Sequence, residues 1–240
     1  MHQAEHQPFF SKCAMTYLQQ LIDKNREEYE KATRHPLTNE LCLGTLSDEK
    51  LFVYLTQDLQ FFQYSLNLLG KTLALCDDAN ASVRLAKQIG FLAQDENSYF
   101  EETLKELEGQ NLSGVAKMRR ESIVLPQVTK YIDYLKYLIY DSSSYSELIT
   151  FCFVMEKVYL EWVEYNQETN NIAKNLPPKF QTWIDLHSGD HFIEWVQFLS
   201  NEVERRLELD GGDGEIYEST FVKSLKLESD FFEACYLYSE

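Results

Sequence analysis

Three carboxylates stand where carboxylates are costly. In an α-helix, residues three, four and seven apart share one face. On that spacing Asp58 lies with Leu51, Tyr54, Leu55, Phe61, Phe62 and Ser65. Glu156 lies with Ile149, Cys152, Phe153, Tyr159, Leu160 and Val163, and Glu228 with Phe221, Leu225, Phe231, Phe232 and Cys235. Most other acids keep polar company, as Glu106 does with Glu102, Thr103, Gly109 and Gln110. A buried, unpaired carboxylate costs several kcal/mol, so each of the three must be paired, protonated or turned toward a polar cavity. Two readings follow. The acids are separately buried, each held by a Tyr hydroxyl or an Arg, or they share one cavity. In the second reading, desolvation raises their pKa values toward neutrality, where a carboxyl can give or take a proton. Such a pocket, with several tyrosines, suits a polar, nitrogen-rich small molecule.

Other chemistry finds less support. A ferritin-like di-iron site needs Glu three residues before His, but the positions before His35, His187 and His191 are Ala32, Ile184 and Ser188. His187 and His191 are four apart, yet Gly189 lies between them and is expected to break the helix that would align them on a metal. No metal and no cofactor is therefore expected. There is no GxSxG, P-loop or GxGxxG motif, and the Gly211-Gly212-Asp213-Gly214 stretch follows a helix rather than a strand, as a linker does.

The elements that must position these acids read as helices nearly throughout. Pro8 opens a first helix, with Phe10, Cys13, Tyr17 and Leu21 along one face, running to Thr33. Pro36 starts a short helix ending near Gly44. Ser47 caps a third, whose first turn carries Asp48 and Glu49 at the positive end of the helix dipole and which continues to Leu75. After a turn at 77–80 a helix runs to Leu107, and 109–120 reads as an irregular connection. Pro126 opens a Tyr-rich helix, 142–144 separates it from an apolar helix over 145–168, and Pro177 and Pro178 introduce another that breaks at His187-Ser188-Gly189. A helix then runs to Leu209, and a last one spans 215–238. No strand alternation appears. The expectation is one all-α domain over residues 1–240, of about ten helices.

Composition sets the bounds. The 240 residues include only 9 Gly and 5 Pro, which favours long elements over turn-dense sheets. The formal net charge of −17 excludes a reader of phosphate backbones, so no nucleic-acid partner is expected. No apolar run reaches the roughly 18 residues of a membrane span, and the N-terminal MHQAEHQPFFSK has the form of neither a signal nor a transit peptide. The five cysteines (13, 42, 76, 152 and 235) are scattered singly, as reduced, small apolar residues are. A cytoplasmic, soluble protein is the expectation.

Several blocks, in order, are also recognisable. Ala32-Thr33-Arg34-His35-Pro36, Gly44-Thr45-Leu46 and Tyr54-Leu55-Thr56-Gln57-Asp58 resemble the opening of the TenA/THI-4 family. Asp95-Glu96, Tyr131, Glu156-Lys157-Val158-Tyr159, Trp183-Ile184, His187 through Phe192, and Glu228 with Phe231-Phe232 continue the resemblance. It implies a haem-oxygenase-like helical bundle acting in thiamin salvage. Members hydrolyse aminopyrimidine fragments of thiamin to hydroxymethylpyrimidine, and some, as thiaminase II, cleave thiamin itself. One subgroup uses a Cys four residues before the Tyr of the middle helix; here that position is Met155, and Cys152 is out of register for the role. The chain instead resembles the subgroup that relies on a pair of glutamates. By resemblance Glu156 and Glu228 share the proton transfers, and Asp58 accepts hydrogen bonds from the exocyclic amine of the pyrimidine. Phe61, Tyr131, Tyr159 and His187 line the pocket, Phe61 and His187 standing where Cys-type members carry Tyr. The implied substrate is aminomethylpyrimidine or its N-formyl derivative, and the implied assembly a homodimer or homotetramer. A pyrimidine-binding protein without catalysis, and a metal- or haem-dependent oxidase, are the alternative readings.

Overall fold

Side chains that are apolar around the whole helix circumference mark a helix surrounded by others. In α9 (Tyr145–Glu168) every side chain from Tyr145 to Glu156 is buried, and the computed structural model, which describes residues 15–240, places this helix at the centre. It packs against α2 (Arg26–Thr33), α3 (Pro36–Leu43), α4 (Asp48–Leu75), α11 (Asp190–Leu209) and α12 (Glu215–Leu237). The three longest helices, α4, α9 and α12, each contact the other two, and each carries one of the three acids. Around them lie α1 (Tyr17–Lys24), α5 (Ala79–Phe91), α6 (Asn97–Glu108), α7 (Ala116–Glu121), α8 (Pro126–Lys136) and α10 (Pro178–Leu186). No strand occurs among the described residues, and the buried apolar side chains form one continuous core. Trp162, at its centre on α9, is fully enclosed, and truncating it to Ala would cost about 3–5 kcal/mol.

The helix starts use local chemistry. Ser47 and Ser144 accept hydrogen bonds from the amides of Lys50 (3.3 Å) and Glu147 (3.1 Å), fixing the starts of the two helices that carry Asp58 and Glu156. Gly44 ends α3 in the left-handed conformation at φ 69°, and a Cβ there would meet Leu176 Cδ2 at 2.6 Å, so both backbone and space select glycine.

Three expectations are corrected. The first helix is split at Asn25, which leaves helical geometry at φ −111° and ψ 30°; its backbone and side-chain N–H groups both bond the Leu21 carbonyl (3.0 and 2.9 Å), capping α1 before α2 begins. The start at Pro8, with Phe10 and Cys13, lies outside the described residues. The helix expected to run unbroken to Leu107 contains a π-helical turn at Leu92–Glu96, and a second π turn, Tyr137–Asp141, extends α8. Segment 109–120 is ordered by distant partners. Arg119 donates to the carbonyls of Glu108 (2.5 Å) and Gln110 (3.2 Å), and the Glu240 carboxylate accepts from the amides of Lys117 (2.5 Å) and Met118 (2.9 Å). The remaining breaks, at Gly189 and at 211–214, fall where expected. No helix among the described residues is long and apolar enough to cross a membrane.

Candidate active site

Asp58, Glu156 and Glu228 meet at one cavity of about 630 Å³, part of it open to solvent. Phe61, Tyr131, Tyr159 and His187 border the same space, so all seven residues singled out from the sequence converge. The wall also includes Phe62, Ser65, Phe100, Val128, Met155 and Phe231, and Leu92 reaches it from the π turn after α5. No Lys or Arg among the described residues lines it.

Each acid has one protein donor. The Trp195 indole, on α11, donates to Glu156 Oε1 at 2.8 Å; its ring stacks on Phe198 and lies under the Arg84 guanidinium. The Tyr131 hydroxyl donates to Glu228 Oε1. Asp58 is bonded by Tyr159, at the end of a directed series. Trp183 Nε1–H can only donate, and reaches the Tyr54 oxygen at 3.1 Å. Tyr54 passes its hydrogen to Tyr159 (3.2 Å), leaving the Tyr159 hydrogen for Asp58.

One neutral donor does not offset the loss of water around a charge. Burial therefore pushes all three carboxyls up, Asp58 to about 8, Glu156 to about 7 and Glu228 to about 8. The Tyr131 hydrogen bond restrains Glu228, while the nearby charges of Asp58 and Glu156 raise it further, which couples the three titrations. Burial pulls His187 down to about 4, so its imidazole is neutral. Phe61 and Tyr131 pack at 4.9 Å between ring centroids and offer a ring an apolar wall.

Cys152 is not among the residues that line the cavity. It is fully buried near the Thr72 hydroxyl, and burial holds its thiol up at about 12, so no thiolate forms at neutral pH. His187 and His191 are separated, one bordering the cavity and the other packing on Phe91 and Gln88 of α5. The side chains of Asp95 and Glu96 lie outside the described residues.

Sequence reading did not find Trp195, and it named Trp183 only within a block of the family resemblance, without a role at the site. Trp195 is 39 positions from its carboxylate, and its only signal is that a buried indole N–H needs an acceptor. Tyr54, one turn before Asp58, was visible on that face, but its bond to Trp183 was not.

The TENA/THI-4/PQQC family profile matches residues 22–238. Among solved structures, a TenA homologue from Pyrococcus furiosus is 22% identical, with 91% of this chain and 99% of that chain covered and a TM-score of 0.76. A TenA family transcription regulator from a Silicibacter species is 16% identical, with 92% and 96% covered and a TM-score of 0.73. A protein described as a TenA-like thiaminase, from Sulfolobus solfataricus, is 14% identical, with 92% and 99% covered and a TM-score of 0.65. At these identities the likeness to each structure is one of fold. No sequence among the curated proteins matches the chain. The family profile, spanning the acids of α4, α9 and α12 together with the helices that carry them, identifies the chain as a member of the TENA/THI-4/PQQC family.

Proposed function

We propose that the protein is an aminopyrimidine aminohydrolase of thiamin salvage, converting aminomethylpyrimidine, or its N-formyl derivative, to hydroxymethylpyrimidine. The observation that carries this reading is the convergence of three desolvated carboxyls, each with one neutral donor, on one cavity that no Lys or Arg among the described residues lines. For the free amine, water adds its oxygen to the methylene carbon, the C–N bond breaks and ammonia leaves.

The residues divide the work by their proton affinities. At neutral pH Asp58 holds its proton and presents an O–H beside a C=O, which complements a ring nitrogen beside an exocyclic amine. Phe61 and Tyr131 wall the ring. Glu156, with the lowest pKa of the three acids, is the group most readily ionised near pH 7 and takes the proton of the attacking water. Glu228 keeps its proton and delivers it to the departing amine. Tyr131 and Trp195 orient these carboxyls with their spare oxygens available to the ligand. Met155, at the wall where Cys-type members place a nucleophile, has no ionisable group, which favours direct attack by water.

The test is ammonia release from 4-amino-5-aminomethyl-2-methylpyrimidine by the purified protein, with hydroxymethylpyrimidine followed in parallel. Matching formation of both products is expected. Heat stabilisation by the pyrimidine without turnover would replace the hydrolase with a binding protein. Neither signal would remove the pyrimidine reading altogether. The homodimer or homotetramer implied by the family, and the cytoplasmic setting, belong to the same proposal and are checked by light scattering and by fractionation.

A further inference from the structure

His187 ends α10 and borders the cavity, and the way its ring is held has a consequence for the ligand. Its Nδ1 lies 2.7 Å from the main-chain carbonyl of Trp183. A carbonyl oxygen only accepts, so Nδ1 carries the hydrogen. In a neutral imidazole the other nitrogen, Nε2, then has a lone pair and no hydrogen. Nε2 has no protein partner recorded among the described residues. The enclosed side-chain nitrogens and oxygens without partners are Trp162 Nε1, Asn166 Oδ1 and Arg206 Nε, and His187 Nε2 is not among them. Its lone pair therefore meets accessible space, and the space His187 borders is the cavity.

The ring has little freedom to do otherwise. Trp183, Tyr159 and Phe192 pack on it with centroids at 4.3, 4.9 and 5.0 Å, and His187 is 4% exposed. The charged groups that line the cavity are carboxyls, and Nε2 adds an acceptor that carries no hydrogen of its own.

We infer that His187 is a specificity-determining residue: locked by the Trp183 carbonyl as the Nδ1–H tautomer, it presents Nε2 as a permanent hydrogen-bond acceptor and selects ligands that bring an N–H or O–H donor to that wall. The inference rests on the cavity being the ligand site proposed above. It specifies what a tyrosine at this position would leave open, since a phenol both donates and accepts.

The protein contains its own reference. His35, capping α3, accepts the Leu37 amide on Nδ1 (3.1 Å), so its Nε2 carries the hydrogen that Glu233 receives at 2.9 Å. His35 and His187, both buried, are opposite tautomers.

Long-range proton–nitrogen correlation spectra of protein labelled with 15N-histidine, at pH 7, test the assignment. His187 is identified by substituting the other four histidines one at a time. The expected result is an Nδ1–H pattern for His187 and an Nε2–H pattern for His35. Hydroxymethylpyrimidine, which is unreactive here, should then move the His187 Nε2 resonance toward that of a hydrogen-bonded acceptor. His187→Phe should bind this probe about tenfold more weakly, the worth of one enclosed neutral hydrogen bond. An Nε2–H tautomer or an imidazolium at His187 overturns the inference, as does unchanged affinity in a folded His187→Phe. Absence of any probe binding to a wild type with the expected tautomer would instead overturn the ligand reading, so the two failures are separable.

Discussion

Two regions of this molecule bury carboxylates in opposite ways. In the cavity, Asp58, Glu156 and Glu228 receive one neutral donor each, and burial raises all three toward or above neutrality. Outside it, Glu147 and Glu202 are just as enclosed, at 8% and 5% exposure, but their partners are numerous. Glu147 meets the hydroxyls of Ser142 (2.7 Å), Tyr137 (3.3 Å) and Tyr134 (3.4 Å), with the Lys223 ammonium over the Tyr134 ring. Glu202 accepts from Tyr145 at 2.8 Å and twice from Arg205, which also holds Asp77. The saturated acids fasten the start of α9 and the flank of α11. The undersupplied acids have spare oxygens only where a ligand can enter. Burial alone is therefore no mark of function here, and the donor count separates the two kinds.

Substitution should break the two regions differently. Glu156→Gln or Glu228→Gln should lower aminopyrimidine turnover by about a hundredfold or more, with the fold intact by circular dichroism. Glu147→Gln should leave turnover near the wild-type rate. Equal losses at Glu147 and Glu228 would erase the distinction.

Stability should move in reverse. Glu202→Ala strands the Arg205 and Tyr145 donors and should cost about 2 kcal/mol in urea unfolding. Glu228→Gln, which removes a desolvated acid, should leave stability unchanged or raise it at pH 8. A larger loss at Glu228 than at Glu202 would mean that the cavity acids hold the fold together.

Asp58 sharpens the contrast further. If it binds the pyrimidine in its protonated form, Asn presents the same donor–acceptor pair. Asp58→Asn should then change KM by less than about threefold, while Asp58→Ala raises it about tenfold. Equal damage from Asn and Ala would require an ionised Asp58.

The smallest effect is on pH dependence. The carboxyls of an unfolded chain ionise near pH 4, whereas the folded cavity keeps its protons until about 7 to 8. Over that interval the folded state binds more protons, so stability from these groups is present below pH 4 and falls as pH rises to about 8. Glu228→Gln should flatten that slope in urea midpoints measured across the range. Turnover should peak between about pH 7 and 8, where Glu156 is ionised and Glu228 is not.

The cavity acids were legible in the sequence because a helix face is a local property. Leu, Phe and Tyr at fixed offsets show that Asp58, Glu156 and Glu228 point inward. The Ser caps and Gly44 are local for the same reason. Glu202 was less visible because its face carries Arg205 and Arg206 beside Trp195 and Leu199, which reads as an ordinary amphipathic helix. What could not be read depends on residues far apart in the chain. Trp183 reaches Tyr54 across 129 positions, and Glu240 fastens the start of α7 across more than 120. The π turn at Leu92 has no composition signal, and the split at Asn25 rests on the backbone angles of one residue. The role of each acid needed its donors, and these come from other helices: Trp195 of α11 for Glu156, Tyr131 of α8 for Glu228 and Tyr159 of α9 for Asp58.

The most direct test is a pH titration of the glutamate and aspartate side-chain carboxyls by 13C NMR, on the unliganded protein with Asp58, Glu156 and Glu228 assigned by substitution. The account predicts three carboxyls that stay protonated well above the ordinary range and ionise near neutrality, Glu156 first. If all three lose their protons near pH 4, the cavity holds three anions at neutral pH, and the assignment of Glu228 as acid and Asp58 as a protonated pyrimidine partner is contradicted.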